Sequence, residues 1–277
     1  MIRIVAADLL ILRKRAATWT LLAIWTALAA FFAYGLPYLT YRNSAGTGAP
    51  VPPDLLPGAL VGNVVGGFPF FGGAIALLLG VLVFGSDYGW GTLKTLFTQG
   101  PGRLRVFGAR IIALGIVLTA FVVTVFAAGS VSSLVIAQIE GASIVWPSVW
   151  LVGRPVLAGW FLLAVWAGLG VMLAVLSRGT SLAIGVGILY ALVIEGLISA
   201  FLGQISVLEP LVKFFLRANA YSLIDPLGLS RDGAADNGPG SFTGPFVSSS
   251  QSFLVLTAYL VVFLGAAAIL LRRRDVV

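Results

Sequence analysis

FGSDYGWGTLKTLFTQGPGRLRVFGAR, residues 84–110, interrupts a chain of which nearly everything else is apolar enough to sit in lipid, and it carries Lys94, Arg103, Arg105 and Arg110. What flanks it decides the class of the fold. Of 277 residues, 59% are hydrophobic and 10% charged, with a mean hydropathy of +1.05. Soluble domains carry about a quarter charged residues. The chain therefore reads as an all-α, polytopic integral membrane protein forming a single transmembrane domain over residues 1–277, and the quoted stretch is where it can meet something soluble.

Composition also removes chemistry. The chain has no His and no Cys, which takes away imidazole acid–base work, thiol chemistry and the usual soft metal sites. No catalytic residue and no metal ligand are expected. A membrane-bound hydrolase would need paired intramembrane carboxylates, which the apolar stretches do not show. The formal charge of +7 and the pI near 10.1 fit lysines and arginines that hold loops on the cytoplasmic side, not nucleic-acid binding.

Working outward from residues 84–110, apolar stretches of the length that crosses roughly 30 Å of hydrocarbon, uncharged except for Arg154 and Glu195, predict six spans, at 16–38, 64–84, 111–136, 150–176, 181–202 and 253–271. Ahead of them, Ile2, Val5, Leu9 and Leu12 share one side of a helical wheel, predicting an N-terminal helix in the membrane interface. Ala27, Leu28 and Ala29 imitate a leader cleavage site, but the apolar run continues past them, so span one reads as an anchor. Residues 40–58, with Pro50, Pro52, Pro53 and Pro57, read as an irregular outer loop. Gly62 and Gly66 form a GxxxG pair suited to close helix approach. Residues 177–180 read as a tight inner turn. Between spans five and six, Glu209, Lys213 and Arg217 recur every four residues opposite Leu208, Leu211, Val212 and Phe215. An amphipathic helix over 206–220 is therefore expected on the outer leaflet, with Pro210 in its first turn.

Charge sets the orientation. With the N-terminus inside, Arg3, Arg13, Lys14, Arg15, Lys94, Arg103, Arg105, Arg110, Arg178, Arg272, Arg273 and Arg274 are cytoplasmic, twelve of the seventeen basic residues. Only Arg42, Arg154, Lys213, Arg217 and Arg231 fall outside. An even number of spans with both termini in the cytoplasm follows.

Residues 85–110 then form a cytoplasmic connection whose middle, Thr92 to Thr98, suits a short helix started by Thr92 and stopped by Gly100 and Pro101. It presents Leu93, Leu96 and Phe97 beside Lys94, a surface shaped for a partner to grip.

The order Asp87, Gly91-Thr92, Pro101, Arg103, Arg110 resembles the permease subunits of ABC-2 type bacterial transporters. Those proteins commonly carry an acidic residue, Gly-Thr, a Pro and an Arg, and then a basic residue re-entering the membrane. Asp87 stands where Glu is usual, and Arg110 where Lys is frequent. The N-terminal interfacial segment, six spans, an outer amphipathic helix and the terminal Arg272 to Asp275 extend the likeness over the whole chain. The resemblance implies a transmembrane subunit whose cytoplasmic coupling helix docks on a separate ATPase, through Asp87, Gly91, Thr92, Leu93, Lys94, Leu96, Phe97, Pro101 and Arg103. Tyr88 and Trp90 fit either that contact or the aromatic belt at the interface. The chain lacks a phosphate-cradling G-x-x-x-x-G-K-[ST] loop. ATP and Mg are thus expected on the partner, with no cofactor on this chain. Half a transport pathway per chain implies two permease chains, identical or homologous, with two ATPase subunits in the bacterial plasma membrane, exporting a hydrophobic or amphipathic small molecule or lipid.

Glu195, deep in span five, is a functional candidate because an ionisable group there is costly. It can be protonated, paired with Arg154, or exposed to a polar cavity. The last possibility supports an alternative function, a self-contained secondary transporter with Glu195 as its proton or ion site. Such a transporter is favoured by inverted repeats, and the two halves differ in loop length.

Overall fold

Polar breaks in the hydropathy do not coincide with helix ends. The computed structural model describes residues 1–44, 50–89, 102–195, 213–227 and 247–273, and among them every regular element is helical. The N-terminal helix α1 is Ile2–Lys14. Span one is α2, Ala16–Ala30, followed by a π-helical turn, Phe31–Gly35, and α3, Leu36–Ser44. Two 3₁₀ turns, Pro53–Leu55 and Pro57–Ala59, lead into α4, Leu60–Gly66, a second π turn, Phe68–Gly72, and α5, Gly73–Gly89. Next come α6, Arg103–Ile139, and α7, Val149–Ser177. After them lie α8, Ser181–Ile188, a third π turn, Leu189–Ile194, α9, Leu216–Ile224, and α10, Ser249–Arg273.

Among the described residues, five helical stretches are long and apolar enough to cross a membrane: Ala16–Ser44, Pro57–Tyr88, Arg103–Ile139, Val149–Ser177 and Ser249–Arg273. The described part of the chain is all-helical, with the apolar helices of a membrane protein. Ser181–Glu195 belongs to the fifth expected span, whose remainder to residue 202 lies outside the described residues. The connection expected over 85–110 is narrower than the sequence suggests. Helix α5 continues to Gly89 and α6 is already formed at Arg103, so Asp87, Tyr88, Arg103 and Arg110 all stand on helices. Hydropathy reports lipid against water, while helices extend through polar residues whose side chains find partners. Ser86 Oγ, for example, donates to the Leu82 carbonyl at 2.8 Å. The expected outer loop at 40–58 likewise begins later, because span one stays helical to Ser44.

Named contacts set the topology. Met1 lies over Gly108 at the start of α6, and Arg103 Nη1 donates to the Arg272 carbonyl at the end of α10 at 3.4 Å. Gly85, near the end of α5, abuts Gly179 and Thr180 in the turn between α7 and α8. The first helix, the last turns of α5 and α10, and the first turns of α6 and α8 therefore share one end of the bundle. At the other end, Tyr38 and Arg42 of span one meet Glu140 after α6. Between the ends, α5 and α7 touch backbone to backbone. A Cβ added at Gly80 would land on the Ala167 carbonyl, and one at Gly170 on the Leu77 carbonyl. Small residues make such an approach possible in lipid, where packing rather than water exclusion holds helices together.

Two expected amphipathic surfaces need correction. On α1, Val5, Leu9 and Leu12 pack on the core, while Ile2 is 86% exposed. The inward stripe is centred near Asp8 and Leu12, and at about 100° per residue Ile2 lies roughly a quarter turn away. The segment expected over 206–220 on the outer leaflet is described only from residue 213, and from Leu216 it is a helix buried inside the bundle. Its Arg217, assigned by the sequence to a polar face, lies 5.0 Å over Phe70 and 5.7 Å from Tyr221. Aromatic faces accept a guanidinium where water is absent. Glu209, Pro210 and the apolar side from Leu208 to Val212 lie outside the described residues.

Candidate functional site

Where α1 meets the ends of α5 and α6, three charged side chains converge. Asp8 sits at the centre of the inward face of α1, Asp87 in the last turn of α5, and Arg110 two turns into α6. Arg110 Nη1 pairs with Asp87 Oδ2, and Arg110 Nε lies 3.6 Å from Asp8 Oδ1. The Arg110 side chain is 8% exposed and its guanidinium faces the Phe84 ring at 5.6 Å. Arg15, at the corner between α1 and α2, donates through Nη1 to the Leu82 carbonyl at 2.6 Å. The four groups share a small cleft with Val83 and Ala113.

The energetics follow from burial. An arginine and a carboxylate lose hydration on entering such a site and recover it only if partners with good geometry are present. Arg110 supplies two carboxylates at once, as its forked donors allow. Asp8 is the less well served of the two, since its Oδ2 is buried without a hydrogen-bond partner. Burial pushes the Asp8 carboxyl above its ordinary 3.8, Arg110 opposes the rise, and Asp87 adds to it. Burial also lowers Arg15, with Asp87 opposing. The result is an ionic bracket that ties the N-terminal helix to both helices flanking residues 90–101.

Of the expected coupling residues, Asp87 belongs to this bracket. Tyr88 packs against the core beside it, and Arg103 reaches the end of α10. Trp90, Gly91, Thr92, Leu93, Lys94, Leu96, Phe97 and Pro101, with the helix expected over Thr92 to Thr98, lie outside the described residues. Sequence reasoning missed Asp8 and Arg15. The available signal was a single carboxylate at the centre of the α1 apolar stripe, since an acid there implies a cation on the facing element.

Glu195, 1% exposed, forms a second polar centre toward the opposite end. It accepts the backbone N–H of Leu216 at 2.9 Å and of Arg217 at 2.8 Å, and the Tyr190 hydroxyl at 2.5 Å. A helix starts with amide donors that have no partner within it, and a carboxylate at that point satisfies them and favours the helix dipole. Glu195 thus caps α9 from a distant part of the chain. Arg154, the partner considered from sequence, is exposed on α7, so that pairing gives way to the cap. Among the described residues no cluster of potential metal ligands occurs.

A third polar contact closes the far end. Glu140 Oε1 accepts the Tyr38 hydroxyl at 2.6 Å and pairs with Arg42 at 3.2 Å. Bracket and clamp thus grip the two ends of α6. No curated protein matches the chain. Residues 65–277, well over half of it, match the family model described as "Protein of unknown function (DUF2705)", and the chain belongs to that family.

Proposed function

We propose that this protein is the transmembrane permease subunit of an ATP-binding-cassette exporter of the ABC-2 type, driven by a separate ATPase. The observation that carries the reading is the ionic bracket. A partner pulling on residues 90–101 acts on the ends of α5 and α6, which Asp87 and Arg110 hold together and Asp8 ties to α1. Displacement there is passed to two long spans as a unit instead of being absorbed in a slack loop. A ligand shifts a conformational equilibrium only by its differential affinity for the two states, and a stiff connection lets the spans feel which state the partner is in.

Six crossings are part of this reading. Met1 and the end of α10 both lie against the start of α6, which supports an even number of passages, with Ser181–Glu195 beginning the one beyond the five long helices. Both termini then face the cytoplasm of a bacterial cell. Two permease chains and two ATPase subunits form the working unit. The cargo is hydrophobic or amphipathic and leaves by a path between the two permease chains. Glu195 acts here as a structural cap rather than a proton site, because amide and hydroxyl donors already occupy its oxygens.

Purification of the tagged protein in mild detergent tests this directly. A soluble ATPase should accompany it, and Leu93→Asp or Leu96→Asp should release that companion while the permease stays folded. Ion-gradient-driven transport by a preparation free of any nucleotide-hydrolysing protein would overturn the reading.

A further inference from the structure

The end of the bundle that carries the bracket is cationic on its outside. Arg3, Arg13 and Lys14 on α1, Arg105 in the first turn of α6, and Arg272 and Arg273 in the last turn of α10 are all exposed. The acids described at this end, Asp8 and Asp87, both face inward to Arg110, so they do not offset the surface charge. The surface is not purely polar. On α1 the basic residues alternate with Ile2, Leu10 and Ile11, each at least half exposed, and Leu104 is exposed beside Arg105. At the corner after α1, Trp19 donates its indole N–H to the Arg13 carbonyl at 2.7 Å while its ring remains 57% exposed.

We propose that this end is a binding collar for the headgroups of anionic phospholipids, with α1 as its principal element. The mixture of groups selects the occupant. An acidic soluble protein would answer the charges but leave Ile2, Leu10, Ile11 and Trp19 facing water. At a bilayer surface the same apolar side chains enter the acyl boundary, the indole sits at headgroup level, and the arginine and lysine stems reach up to the phosphates. Arg105, Arg272 and Arg273 stand at the ends of membrane-crossing helices, which places them at the same level. Basic residues there attract anionic lipid through its surface charge. The bracket contributes by holding α1 against α6 in a fixed register, so that charges from α1 and α6 form one surface. This inference rests on the membrane-spanning bundle alone and stands or falls independently of any ATPase partner.

The test uses the full-length protein in mild detergent, offered equal amounts of phosphatidylglycerol and phosphatidylcholine with identical acyl chains, with retained lipid read by native mass spectrometry. Phosphatidylglycerol should be retained about fivefold or more over phosphatidylcholine, given the attraction each basic residue near a surface supplies. The triple variant Arg3→Gln, Arg13→Gln, Lys14→Gln should lose most of that preference. Replacing the two arginines by lysine should keep it, which separates loss of charge from loss of fold. Equal retention of the two lipids, or a preference untouched in the triple variant, overturns the proposal. So does a preference abolished by inorganic phosphate but not by chloride of equal ionic strength, since that result identifies a site for a free anion.

Discussion

Glu195 accepts the backbone N–H of Arg217 at 2.8 Å, across 22 positions of sequence. A carboxylate in one apolar segment thereby starts a helix in another, and the helix it starts is packed inside the bundle instead of lying on its surface. Replacing Glu195 by Ala strands two buried amides and the Tyr190 hydroxyl. Each abandoned donor costs about 1–3 kcal/mol, so thermal unfolding in detergent should show a large loss of stability. Glu195→Gln keeps one acceptor oxygen and should fall between. Transport by Glu195→Gln that is unchanged at every pH would exclude proton coupling through this carboxyl.

Arg110 is the hinge pin of the bracket. Arg110→Met removes the cation that Asp8 and Asp87 share and leaves only Arg15 in the cleft with them, and breaking a buried pair from one side costs about 3–5 kcal/mol. Neutralising all three positions together, as Asp8→Asn, Asp87→Asn and Arg110→Met, should recover most of the loss, because no buried carboxylate is left without its cation. If the triple variant unfolds as readily as the single one, packing rather than charge explains Arg110.

The bracket should also respond to pH in a defined direction. Burial raises Asp8 above 3.8 in the folded protein, so the folded state holds that proton more tightly than the unfolded chain does. A group of this kind contributes stability that is fully present below the unfolded value and is lost as pH rises through the raised folded value. Arg110, Asp87 and Arg15 are the charged groups beside it. The melting temperature of the wild type relative to Asp8→Asn should therefore rise as pH falls through the carboxylate range. A difference that is flat, or that moves the other way, would show that Asp8 titrates unperturbed or is held down by Arg110.

Helix α5 tolerates little at its contact with α7. Gly80→Ala and Gly170→Ala place a methyl against backbone carbonyls, which cannot swing aside as a side chain can. Overpacking of this kind costs about 1–3 kcal/mol or more. Gly153→Ala and Gly265→Ala face open space and should leave stability nearly unchanged. Yield of monodisperse protein from gel filtration, compared across the four variants, distinguishes a specific helix contact from a general penalty for replacing glycine.

Much of the architecture is legible in the chain because membrane insertion is a local matter. Each span has to be apolar along its own length, so composition alone points to a helical membrane protein and locates the middle of the five crossing-length helices among the described residues. Span ends are less legible. Asp87 and Arg103 look like loop residues when read alone, and they are helical because α5 and α6 extend beyond the apolar stretch.

From the sequence alone come the helical membrane class and the apolar segments that form the five crossing-length helices among the described residues, since each depends on side chains within reach of one another along the chain. Only the tertiary structure decides that Arg110 holds Asp8 and Asp87, that Glu195 caps α9, and that Arg217 rests on Phe70. The physical reason is that a buried polar group is tolerable only when its partner is present, and these partners arrive from helices up to about a hundred and fifty residues away, brought together by packing in lipid.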